Sequence, residues 1–190
     1  MSAMSTLLRR GAFAVMMVLG GLALGFILGT IAEEPGGWAA VVLSAVVLVP
    51  IVSLSVVAVR APELATRILA LGVGFLAAYA VVEALVPLRM AGPVVAVGTV
   101  VLAVPMAVLG LRHAREAGTL LVLDGLVPVL GLALVALQHA DEGSRGLHLG
   151  DSSGVAGVPV LFVGALFLLA WVAGLQPAAA PRRTAGPRHA

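Results

Sequence analysis

The sequence predicts an all-α fold, a polytopic bundle of six transmembrane helices with both termini in the cytoplasm. Three observations predict it. The 190-residue chain is 61% hydrophobic and 11% charged, with a mean hydropathy of +1.15, whereas a soluble domain is roughly half apolar and about a quarter charged. The apolar residues gather into six runs, each near the roughly 20 residues that a helix needs to cross a bilayer. All eleven basic side chains are arginine, and most of them alternate in position between those runs. Arg9 and Arg10 precede the first run, Arg60 and Arg67 lie around the start of the third, and Arg112 and Arg115 lie between the fourth and fifth. Arg182, Arg183 and Arg188 follow the sixth, while the other three connections hold only Arg89 and Arg145. Arginine retained on the cytoplasmic side gives this alternation.

Segment one is expected over Gly11–Ala32. Its apolar run is longer than the roughly 7–15 residues of a signal-peptide core, so it reads as a span and not a cleaved leader. Gly21, Gly25 and Gly29 recur every fourth residue and so share one helix face, where a second helix can approach closely. Two readings fit that face: packing inside the bundle, or contact with a second copy or another membrane protein. Segment two is expected over Trp38–Val59, with a kink at Pro50. Segment three, Leu64–Val86, has Arg67 near its start, a weaker small-residue face at Ala70, Gly74 and Ala78, and Glu83 near its end. Segment four, Pro93–Leu111, carries a second kink at Pro105. Segment five, Ala117–Leu137, contains Asp124 and a third kink at Pro128. Segment six is expected over Val155–Leu175, where Ser152 or Ser153 would cap its start. The tail, 177–190, is rich in Pro, Ala and Arg and is expected to be disordered and cytoplasmic.

Shifting the chain by 55 positions superposes Pro50 on Pro105, Arg60 on Arg115 and Glu83 on Gln138. Either segments two and three form a parallel repeat with four and five, as in some small transporters, or two hydrophobic hairpins align by chance.

The two intramembrane acids are the residues whose presence topology does not explain. Asp124 falls about 5 Å from the middle of its segment and Glu83 about 12 Å from the middle of its own. Aspartate at a helix centre costs about 2.5–3.5 kcal/mol on the insertion scale. Asp124 is therefore expected to face the bundle interior, a cavity or a partner. Each acid stands four residues before a proline, Pro87 or Pro128. Proline has no N–H to give to the carbonyl four residues back. A carboxyl group beside a freed carbonyl makes Asp124 and Glu83 candidates for a proton or cation site, and a structural hydrogen bond or ion pair is the alternative for each. Arg67 is the candidate partner for Asp124, against the simpler expectation that it snorkels to lipid phosphate.

The longest connection, 139–154, holds His139, Asp141, Glu142, His148 and Asp151. These are metal-ligand types, but no recognised spacing joins them, so a solvated loop is expected and no metal site.

The chain has no cysteine and no lysine, which excludes disulfides, thiolate chemistry and Schiff-base attachment. The missing lysine beside abundant Ala, Val, Gly and Arg fits the codon bias of a GC-rich bacterial genome. There is no HExxH and no GxSG, so no catalytic residue is nominated. No cofactor is expected, since the four histidines lie outside the apolar runs. The arginines are dispersed and the net charge is only +2, so nucleic acid is not an expected partner. The expected partners are the lipid bilayer and, through the first helix, a second copy or another membrane protein. The sequence thus points to a non-enzymatic protein of a bacterial cytoplasmic membrane, an accessory or assembly subunit of a larger complex. A small proton- or cation-coupled transporter or channel is the alternative.

Overall fold

The computed structural model describes residues 3–34, 36–85, 92–138 and 152–175, and they are helical apart from short turns. Six helices follow in chain order: α1 Ala3–Glu33, α2 Gly37–Arg60, α3 Pro62–Leu85, α4 Gly92–Gly110, α5 Ala114–Gln138 and α6 Ser152–Leu175. Helices α1, α2, α3 and α6 are long and apolar enough to cross a membrane. Helix α4 is shorter, at 19 residues, and α5 carries Arg115, Glu116 and Asp124 along its 25. Each helix covers nearly all of its expected segment. The largest difference is at α1, which runs on past Arg10 to Ala3, because a helix need not end where its apolar run does.

The turns are tight. One residue, Ala61, joins α2 to α3, and its N–H donates to the Val57 carbonyl to close α2. Three residues join α4 to α5, where the Arg112 and His113 N–H groups donate to the Leu109 carbonyl. Such short links force antiparallel neighbours. Pro50, Pro105 and Pro128 lie inside continuous helices, as does Pro159.

The bundle is five helices around one. Helices α1, α2, α3, α5 and α6 close a ring in that order, and α4 packs against every member. The sequence of α4 suits the centre. It is almost wholly Val, Ala, Gly and Leu, and it reads as apolar on all sides, as a fully enclosed helix should. Thr99, Ala103, Met106 and Ala107 are all 0% exposed. The helices aligned by the 55-residue shift occupy different places in this arrangement. Helix α2 is a ring helix exposed along most of its length, whereas α4 is enclosed. The two arginines also differ: Arg60 ends α2, whereas Arg115 stands in the first turn of α5.

The closest joint is between α5 and α6. A Cβ added at Gly125 would lie 2.8 Å from the Leu161 nitrogen, and one at Gly164 would lie 2.9 Å from the Val122 nitrogen. Gly118 and Gly157 are equally tight, against Leu168 and Pro128. Missing side chains on each helix admit the other's backbone, and the close approach gains dispersion contacts.

Candidate functional site

The described arginines gather at one end of the bundle. Arg112 donates from its guanidinium to the Val59 carbonyl at 2.9 Å, capping α2. Positive charge near a helix C-terminus also complements its dipole. The Arg115 guanidinium lies 5.1 Å from the centre of the Trp171 ring, tying the start of α5 to the end of α6. Arg9 approaches Gly174 near that same end. Arg10, Arg60 and Arg67 are exposed on the adjoining helix ends, and His113 pairs with Glu116 at 3.8 Å. Arg89, Arg145, the loop residues His139, Asp141, Glu142, His148 and Asp151, and the tail lie outside the described residues, as do the side chains of Ser152 and Ser153. Among the described residues no cluster of side chains is arranged to hold a metal ion.

Asp124 is 0% exposed, and neither of its carboxyl oxygens has a hydrogen-bond partner. Arg67 does not reach it and is exposed on the outside of α3. The packing explains why. On α5, Gly118, Val122 and Gly125 meet α6, while Gly131 meets Ala80 of α3. At 3.6 residues per turn, Asp124 lies between those two faces, beside the buried Ala117, Leu121 and Pro128. Arg67 is about 9 Å away along the axis, taking Ala80 and Gly131 as level.

The same reference separates the two acids. Glu83 lies about 15 Å further along the axis than Asp124, and it is half-buried near the end of α3. A small cavity between α3 and α5 is lined by apolar residues that include Ala77, Ala80, Val127 and Gly131. Asp124 and Glu83 therefore do not form one site.

Sequence reasoning does not single out Thr99. It is 0% exposed on α4, and its hydroxyl is also without a hydrogen-bond partner. Thr30, Thr66 and Thr119 each donate to the carbonyl four residues back, the usual way a helix absorbs a hydroxyl. Thr99 does not. Gly98 and Leu102 of α4 meet α3, and Gly110 meets Phe167 of α6. Thr99 lies between those faces, where α5 sits. Counted from the α4–α5 turn, Thr99 is about 16 Å deep and Asp124 about 15 Å. Two enclosed polar side chains thus share one layer near the middle of the bundle.

The glycine face of α1 points the other way. A Cβ at Gly21, Gly25 or Gly29 would meet nothing within 4 Å, and all three residues are exposed. Gly20 is the α1 glycine that packs inward, where an added Cβ would lie 3.0 Å from Val104 of α4. Of the two readings of that face, packing inside the bundle does not hold. No protein-family model matches this chain, and neither a curated protein nor a solved structure matches it.

Proposed function

We propose that this chain is a non-enzymatic protein of a bacterial cytoplasmic membrane that serves as an accessory or assembly subunit of a larger membrane complex. In this reading all six helices span the bilayer and the arginine-bearing end faces the cytoplasm, with both termini there. The observation that carries the assembly reading is the open face at Gly21, Gly25 and Gly29. Small residues at spacing four let a second helix approach closely, and the bundle itself leaves this face unused. A second copy or another membrane protein is the natural occupant. Replacing Gly25 with Leu is expected to dissociate a detergent-stable assembly while leaving the single chain folded, as read by native mass spectrometry and thermal melting. A strictly monomeric wild type, purified gently from its own membrane, rejects the reading.

A second reading is supported by Asp124. An enclosed acid without a partner is expensive in a membrane and commonly marks an ion or proton pathway. In this reading the chain is a small proton- or cation-coupled transporter or channel. Coupled flux in proteoliposomes is then expected to fail in Asp124→Asn with the fold intact, and unchanged flux in that variant removes it.

A further inference from the structure

We propose that Asp124 and Thr99 together form a proton-binding site at the centre of the bundle. The site goes beyond both readings above and requires neither assembly nor transport. It rests on three observations. Both side chains are fully enclosed. The Thr99 hydroxyl and both Asp124 carboxyl oxygens lack partners. The two residues share a depth on α4 and α5, which pack antiparallel against each other, and helix periodicity places each between the faces its helix turns to α3 and α6.

The choice of a proton follows from the surroundings. Helix α5 packs against α3, α4 and α6. The described residues of α4 and α6 include no ionisable side chain. Helix α3 contributes Glu63, Arg67, Tyr79 and Glu83. Arg67 and Tyr79 lie about 9 Å along the axis from Asp124, on opposite sides, and Glu63 and Glu83 about 15 Å. On α5 itself, Arg115 and Glu116 are exposed in its first turn. No cation among the described residues therefore faces Asp124, and an unpaired carboxylate in so enclosed a place is strongly disfavoured. The site lacks the full shell of oxygen ligands that a hard metal cation needs. A proton needs only one donor and one acceptor. In the proposed site the side chains turn so that the acid O–H donates to Thr99 Oγ1, a bond that would supply the partner each lacks in this structure. The Thr99 hydroxyl is then free to donate to the Val95 carbonyl, four residues back, as Thr30, Thr66 and Thr119 do to theirs. Pro128 leaves the Asp124 main-chain carbonyl without its helical donor, so a second acceptor lies beside the same carboxyl group.

Infrared difference spectroscopy of the full chain in lipid vesicles at neutral pH tests this. The expected result is a carboxylic-acid C=O band that disappears in Asp124→Asn, shifts to higher frequency in Thr99→Val and returns to the wild-type position in Thr99→Ser. A spectrum with no acid band sensitive to Asp124→Asn overturns the site. An Asp124 band that Thr99→Val leaves in place overturns the pairing. If either variant fails to assemble, wild-type protein carrying carboxyl-13C aspartate gives the answer alone. Asp124, Asp141 and Asp151 are its only aspartates. An isotope-shifted acid band persisting when the vesicle exterior and interior are held well above the pH at which exposed aspartates ionise supports the site, and its absence overturns it.

Discussion

A glycine in a packed helix can leave room for a neighbour or merely leave a gap, and the two kinds in this chain respond differently to one added methyl group. At Gly125 and Gly164 the new carbon would press on the backbone of the facing helix at under 3 Å. Backbone does not move aside as a flexible side chain does, so Gly125→Ala or Gly164→Ala is expected to destabilise the folded chain by about 1–3 kcal/mol. At Gly25 nothing is within reach. Gly25→Ala is expected to leave the melting temperature of the single chain unchanged or slightly raised, since alanine is the better helix former. Thermal unfolding in one detergent, with the three variants side by side, checks both statements. Arg112 offers another test at this scale. Its bond to the Val59 carbonyl is exposed and long-range in sequence. Arg112→Ala is expected to cost about 0.5–1.5 kcal/mol by losing that bond, which the same melting assay reads.

Among the elements, the central place of α4 governs what each helix tolerates. Ala107 is 0% exposed at the middle of the ring, whereas Ala14 is exposed on α1. Ala107→Leu is expected to lower stability by about 1–3 kcal/mol through overpacking, and Ala14→Leu to change it by less than about 0.5 kcal/mol. Equal losses in the melting temperatures of the two variants would contradict the five-around-one arrangement. The positions of the helices were legible in the sequence because length and apolarity are properties of a single segment. Their arrangement was not, because it depends on pairs. Gly21, Gly25 and Gly29 stand out at spacing four, yet the bundle closes through Gly118 and Gly125 against Gly157 and Gly164, at spacing seven. That joint also needs Val122, Leu161 and Leu168 to fill the gaps, and no single helix reveals both halves. Thr99 is hidden for the same reason. A lone threonine in an apolar helix is ordinary until its depth is compared with that of Asp124. Asp124 itself was legible, because its cost follows from its own position in an apolar run. Its pairing with Arg67 was not a safe extrapolation, since the two lie about 9 Å apart along the axis and Arg67 is exposed on α3.

At the scale of the whole molecule, the ring joins local charge to orientation. The α2–α3 and α4–α5 turns, the start of α1 and the end of α6 all meet at the arginine-bearing end. A cytoplasmic excess of arginine would put that end inside the cell. The chain has no cysteine, so a single introduced thiol can be labelled without a background. Glu63→Cys, exposed at the start of α3, is expected to react with a membrane-impermeant maleimide only after the cells are opened. Ser144→Cys, in the connection between α5 and α6, is expected to react in intact cells. The reverse pattern would turn the whole bundle over, and the arginines would then need a role other than topology. Reaction of both thiols in intact cells would mean an even number of crossings between them, which contradicts a six-span ring. Because α3, α4 and α5 lie between the two thiols, opposite accessibility is the direct consequence of three crossings. The experiment therefore tests the shorter α4 and the charged α5 as spans at the same time as it tests the direction in which the arginines point.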